Sequence, residues 1–205
     1  MSIERRKIVN ALGAEVVLTP RHLRMKAAID KAQELQKTYG NAFISQQFET
    51  AANPDIQQKT TAQEIWDATD GRVDFFVSAV GTGGTVTGTG RDLKEKNPDV
   101  QVIAVEPAAS PGLSGGKPGP HAIQGIGAGF IPKVMDTRLV DKIITVENED
   151  AFDHSREVAK SDGLLVSFSA GAAIDAGLQL AQRPKHNCGT AGGRRRRCLS
   201  TSLYK

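Results

Sequence analysis

The sequence predicts an α/β fold, an open and mostly parallel sheet with flanking helices. Three observations carry that reading. Stretches of helical and strand periodicity alternate along most of the chain, the mark of strand–helix–strand units. The run VDFFVSAV at 73–80 is mostly apolar rather than alternating, as a central parallel strand covered on both faces has to be. Two junctions marked by glycine or serine, at 81–85 and 169–171, stand where a strand hands over to a helix.

The elements follow in order. Ile8, Val9, Ala11 and Leu12 sit at helical spacing, and Gly13 stops that helix. Residues 15–18 read as a short strand. Thr19-Pro20 opens a helix with Met25, Ala28, Ile29, Ala32 and Leu35 on one face, broken at Tyr39-Gly40-Asn41. Residues 42–46 read as a short buried strand. Asn53 followed by Pro54 is a cap with proline at the first helical position, opening a helix towards Trp66. The 73–80 strand leads through glycine-rich 81–90 into a helix that ends at Asn97-Pro98, and 100–106 is the next strand. Residues 107–130 are a Gly- and Pro-rich loop, and a loop so long in a compact domain is functional or disordered. Residues 142–146 form a strand. Asn148 caps a helix containing Phe152 and Val158, ended by Asp162-Gly163. Residues 164–166 lead into Ser167-Phe168-Ser169-Ala170-Gly171 and an alanine-rich helix reaching about Arg183. One more strand is expected after it. Residues 185–198 carry no apolar run, so they are expected to be disordered, as a frame-shifted or inserted stretch would be.

A chain of 205 residues makes one large domain or two small ones and can bury a core. No apolar run approaches the roughly 18–20 residues that a membrane span needs, and MSIERRKIVN holds no signal-peptide core. Two cysteines make no disulfide scaffold and suit a reducing cytosol, so a cytoplasmic protein is expected. The net charge is +3, but residues 185–205 hold six formal positive charges and no acidic group, which leaves −3 on the remainder. Arg194 to Arg197 are not interleaved with aromatics, so a nucleic-acid partner is not expected.

The sharpest motif is Gly81-Thr82-Gly83-Gly84-Thr85, after a strand and at a helix start. Amides at a helix N-terminus bind anions, glycine admits close approach, and threonine adds neutral donors, so phosphate is the natural ligand. A tight turn with no ligand is the other reading. The dinucleotide fingerprint fails because Val86 holds its third glycine position, and no Gly-Lys-Ser/Thr follows to make a P-loop. Ser169 is either a helix cap or a hydroxyl aimed at a ligand; a hydrolase elbow is disfavoured because Ser167 stands where it needs glycine. Gly125, Gly127 and Gly129 form either a flexible crossing or a loop packed on a ligand. Gln46-Gln47 ends a strand, where parallel sheets bind ligands. His22, His121, His154 and His186 are scattered as surface or loop residues, and Cys188 and Cys198 lack ligand spacing, so no metal is expected.

Together these residues resemble the cysteine synthase (O-acetylserine sulfhydrylase) family, pyridoxal-phosphate enzymes of the tryptophan-synthase β-subunit fold type, fold type II. The matching stretches are ERRKIVNALGAEVVLT, QQFETAANPDIQQKTTAQEIW, VGTGGTVTGTGRDLKEKNPDVQVIAVEP, KPGPHAIQGIGAGFIP and the serine–glycine junction at 169–171, with a resumed match at Leu199 to Tyr204. The resemblance implies pyridoxal 5'-phosphate as cofactor. It implies that Gly81, Thr82, Gly83, Gly84 and Thr85 cradle its phosphate and that Ser169 hydrogen-bonds its pyridine nitrogen. Gln47 then lies near the substrate carboxylate, and Gly125 to Gly129 line the active-site mouth. The implied reaction makes cysteine and acetate from O-acetylserine and sulfide.

The departures are specific. The family's first third, roughly, has no counterpart here. It carries the lysine that forms the Schiff base and the Ser/Thr-Gly-Asn-Thr loop that grips the substrate carboxylate, so no catalytic residue is assigned. Residues 1–48 are then a remnant of the small N-terminal domain, 49–184 the large cofactor-phosphate-binding domain, and 185–205 an atypical basic tail. Such a chain is expected to be truncated and inactive alone, with the missing third encoded upstream of Met1. The family's homodimer and its partner serine acetyltransferase are the implied protein contacts. A non-catalytic remnant that binds the cofactor or a protein is the alternative.

Overall fold

The computed structural model describes residues 2–181 and 188–191. Helix α1 (Ile3–Ala11) is capped by Ser2, whose Oγ accepts from Arg5 N, and is followed by Gly13 at a φ of +86°. A 3₁₀ turn (Arg21–Leu23) leads into α2 (Arg24–Tyr39), closed by Gly40. Helices α3 (Ala52–Lys59) and α4 (Thr61–Ala68) follow, then β1 (Phe75–Ala79), α5 (Gly84–Lys96) and β2 (Gln101–Pro107). The long loop runs to a 3₁₀ turn (Thr137–Leu139), then β3 (Lys142–Val146), α6 (Asn148–Ser161), α7 (Phe168–Ala181) and β4 (Cys188–Ala191).

The sheet order is β3-β2-β1-β4 and every pairing is parallel. Phe75 stands beside Gln101 on one side and Cys188 on the other. Successive side chains of a strand point to opposite faces, and this sheet buries both. Phe75 and Val77 of β1, Ile103 and Val105 of β2, and Ile144 and Val146 of β3 pack with Phe152 of α6 and Phe168 of α7. The interleaved Phe76, Val102 and Ala104 pack with Val86 and Leu93 of α5. This two-sided burial is why 73–80 carries no alternation.

Residues 15–18 and 42–46 form no strand. A strand needs a partner to take its backbone hydrogen bonds, and none of the described residues pairs with them; Phe43 is 89% exposed. At the other end the correction runs the opposite way. A stretch expected to lie outside any strand supplies β4 at 188–191, in register beside β1. Backbone pairing along β1 holds it there, and Cys-Gly-Thr-Ala needs no apolar run to pair. The rest of that stretch, with the arginine run, lies outside the described residues.

Two expected caps are also replaced. Asn53 lies inside α3, and its side chain reaches across to the next segment instead. Asn148 opens α6, but its Oδ1 accepts from Ala122 N at 2.9 Å and so ties the long loop to that helix. The helix towards Trp66 is in fact two, broken at Thr60.

Candidate active site

The site sits at the carboxyl end of β1. Strands β2 and β4 flank β1 on opposite sides, and parallel α/β sheets bind ligands where the chain connections diverge in this way. The chain leaves β1 through Val80, turns at Gly81 to Gly83 and enters α5 at Gly84. Gly83 caps the helix at a φ of +83°, a left-handed conformation that favours glycine. The amides of the first turn of α5 have no intrahelical acceptors, and the helix dipole adds to their positive end. Gly84 N donates to Thr82 Oγ1 at 3.3 Å. Thr82 and Thr85 are half-buried, so their hydroxyls remain reachable.

The glycine-dense loop is fastened against this turn. Gly127 N donates to Val80 O at 3.1 Å. Gly125 O approaches so near that a Cβ on Gly81 would lie 2.4 Å from it. His121 Nε2 lies 3.3 Å from Gly127 O, while its Nδ1 is buried with no partner among the described residues. The base of the loop is held by Glu106, a buried carboxylate that accepts from Leu113 N, Ser114 N and Ser114 Oγ.

A third piece arrives from the segment before α3. Asn53 Nδ2 donates to Gln47 O at 2.7 Å and to Thr82 Oγ1 at 3.0 Å, so one side chain joins that segment to the glycine turn. Phe48 meets Phe130 edge-on at 5.2 Å and its carbonyl accepts from Val134 N. The three pieces enclose an open cleft of about 420 Å³. Gln47, Gly81, Thr82 and Gly125 line it, together with Arg5, Met25 and His121.

Gly83, Gly84 and Thr85 lie behind that lining, in the turn itself. Ser169 stands beyond Gly125: its Oγ is 3.9 Å from where a Cβ of Gly125 would be. Ser169 lies in the first turn of α7 and is half-buried. The capping contact there belongs to Ser167, whose Oγ accepts from Ala170 N, and the two serine hydroxyls lie 2.9 Å apart. Ser169 is therefore not the cap, and its hydroxyl faces the loop. Gln47 reaches the cleft without any strand to end.

Asn53, Arg5 and His121 are site residues that the sequence did not reveal. Asn53 reads locally as a cap, and the other two carry no local signal. The described residues include no group of His, Cys, Asp or Glu that could hold a metal. Among the described residues two carboxylates have clearly shifted pKa values, and neither lines the cleft. Arg138, hydrogen-bonded to Asp136, lowers that acid; burial raises Asp175.

The donor set fits pyridoxal phosphate. Neutral amides and hydroxyls at a helix start suit a phosphate ester, and an uncharged hydroxyl at Ser169 suits a ring nitrogen. Comparison with known proteins agrees. The family described as pyridoxal-phosphate dependent enzyme matches residues 1–190. A cysteine synthase of Staphylococcus aureus is 47% identical over 208 aligned residues, covering all of this chain and 67% of that protein. Among solved structures, a cysteine synthase from Entamoeba histolytica superposes with a TM-score of 0.92 at 44% identity, over 100% of this chain and 62% of its own. An O-acetylserine dependent cystathionine beta-synthase from Helicobacter pylori gives 0.92 at 38% identity, over 100% of this chain and 67% of its own. The chain thus spans about two thirds of the length of these relatives. No helix among the described residues is long and apolar enough to cross a membrane. The chain belongs to the pyridoxal-phosphate dependent enzymes of fold type II.

Proposed function

We propose that this chain is the cofactor-phosphate-binding part of a cysteine synthase-like enzyme that makes L-cysteine from O-acetylserine and sulfide in the cytoplasm. The observation that carries the reading is the glycine turn opening α5 at the end of the central strand, with Gln47 and Gly125 on the same cleft. The identity to a cysteine synthase over the whole chain supports the choice of reaction. Within this reading residues 1–48 belong to a small domain, 49–184 to the large domain and 185–205 to a basic tail. A homodimer and docking of serine acetyltransferase are part of the same proposal.

The roles follow from the chemistry of each group. Gly81 to Thr85 hold the phosphate with backbone amides and the Thr82 and Thr85 hydroxyls. Ser169 meets the pyridine nitrogen with a neutral hydroxyl, which leaves the ring without a full positive charge. Bound pyridoxal phosphate supplies a moderate electron sink, suited to eliminating a good leaving group such as acetate. Gln47 offers an amide to the substrate carboxylate, and the Gly125 loop presents backbone to the substrate. Among the described residues no lysine lines the cleft. We therefore assign the covalent anchor and the proton carrier to polypeptide beyond these residues, and expect no turnover from this chain alone.

The test uses the purified chain. Pyridoxal phosphate should raise its unfolding temperature and pyridoxal should not; saturation at 100 times Kd corresponds to about 2.7 kcal/mol. Replacing Gly83 and Gly84 together by valine should remove the effect. Borohydride reduction followed by peptide mapping should label no single lysine stoichiometrically. One stoichiometric lysine, together with cysteine formed from O-acetylserine and sulfide, would show that the chain is itself the enzyme.

A further inference from the structure

We propose that Asn53 is a positioning residue that fixes the Thr82 hydroxyl as a donor into the cleft, so that this edge of the glycine turn favours ligands presenting a bare anionic oxygen. The inference rests on the cofactor reading for the name of the phosphate ester, and on the hydrogen bonds of the turn alone for the direction of the proton. The Asn53 amide carries two N–H protons, and both are engaged: Nδ2 donates to Gln47 O at 2.7 Å and to Thr82 Oγ1 at 3.0 Å. The Gln47 carbonyl can only accept, so it settles which end of the amide faces it; turned over, the amide would set its own oxygen against that carbonyl. The Asn53 oxygen instead packs on Gly84, where only a glycine leaves room for it.

Thr82 is constrained as a result. A hydroxyl has one proton and two lone pairs, and left to itself it rotates to donate or accept as its partner requires. Here Asn53 Nδ2 and Gly84 N, at 3.0 and 3.3 Å, can only donate, so together they occupy both lone pairs. The proton has to point away from both, and no described residue accepts it. Thr82 is half-buried and lines the cleft, so that proton is left for a ligand. A donor fixed in advance meets a phosphate oxygen without first losing rotor freedom, and it opposes any ligand N–H. Asn53 is not among the residues lining the cleft and acts through Thr82.

The test is a double-variant cycle in ligand affinity, measured on the full chain at low salt. The probe is pyridoxine 5'-phosphate, which carries the phosphate ester but no aldehyde to react with lysines; pyridoxine is its phosphate-free control and inorganic phosphate the bare anion. Thr82→Val should weaken pyridoxine 5'-phosphate about tenfold, the scale of a hydrogen bond to a charged group, and Asn53→Ala about fivefold. Asn53→Ala should cost no further affinity once residue 82 is valine, and should cost it again in Thr82→Ser, which keeps the hydroxyl. Asn53→Asp, of the same shape, closes the same cycle should the alanine variant fail to fold: its carboxylate draws in the Thr82 proton, so its loss should be smaller in Thr82→Val than in the parent. Equal losses from either Asn53 variant in the parent and in Thr82→Val overturn the positioning role, because a side chain that merely ties two segments together acts whether or not the hydroxyl is there. Unchanged affinity in Asn53→Ala overturns it as well, and so does the absence of binding by both phosphate probes. If inorganic phosphate binds with the expected coupling while pyridoxine 5'-phosphate does not bind, the cofactor reading falls and the Asn53–Thr82 device stands.

Discussion

Replacing Gly84 by alanine isolates the contact that joins the glycine turn to the Gln47 segment. A Cβ at this position would lie 1.9 Å from Asn53 Oδ1 and 2.4 Å from its Cγ, so the Asn53 side chain has to leave. It then gives up its hydrogen bonds to Gln47 O and Thr82 Oγ1. Two neutral hydrogen bonds of a half-buried side chain are worth about 1–2 kcal/mol together. Alanine returns about 0.5–1 kcal/mol within a helix, and less at the first position of α5. Net destabilisation of about 1 kcal/mol follows, a fall of roughly 2–4 °C in unfolding temperature for a chain of this size. Asn53→Ala should cost about 1–2 kcal/mol for the same two bonds. The two changes are not additive. Truncating Asn53 removes the three atoms that a Cβ at 84 would meet first, so the double variant should be about as stable as Asn53→Ala. Urea unfolding of the parent, both singles and the double gives the coupling directly, and it should be about 1 kcal/mol or more for residues in such contact. If Gly84→Ala costs the same in the Asn53→Ala background as in the parent, the turn and the Gln47 segment are not joined through this side chain.

Two further changes probe the loop and the helical face. Glu106→Gln puts an amide donor opposite the Leu113 or Ser114 N–H, so about 2–3 kcal/mol should be lost and limited proteolysis at 111–117 should accelerate; an unchanged cleavage rate would show that the loop does not depend on that carboxylate. Burial raises the Asp175 pKa above its ordinary 3.8, against the opposing influence of the Gln179 hydrogen bond and of His154, with Asp150 adding to the rise. The folded state therefore holds this proton more tightly than the unfolded one, and the stability it contributes is present at low pH and lost as pH rises through the raised value. Asp175→Asn should flatten that acid-side slope in urea midpoints measured against pH, and an unaltered slope would assign it to other groups.

What the sequence disclosed and what it hid divide along one physical line. The run from β1 through α7 was legible because local periodicity, terminators and two-sided burial agree there. The 73–80 run is apolar on both faces because Phe75 and Phe76 enter two different cores. Residues 15–18 and 42–46 carry comparable strand signals and form none, since a strand is defined by its partner rather than by its own side chains. Residues 188–191 show the converse: Cys-Gly-Thr-Ala has little strand character of its own, yet it pairs along β1.

The site obeys the same division. The glycine turn is visible because anion binding by backbone amides needs a local arrangement of glycines, and a local arrangement is what a sequence displays. Asn53 reaches a hydroxyl 29 positions away, and its neighbour Pro54 makes it look like a helix cap, so its structural role was concealed by a plausible local one. Arg5 gave no signal at all, because charge on a helix surface acquires meaning only from the cleft that the rest of the chain builds beside it. The parts of this site that bind through backbone can therefore be read from the sequence. The parts that depend on side chains carried in from distant segments have to be found in the fold, as Asn53 has to be.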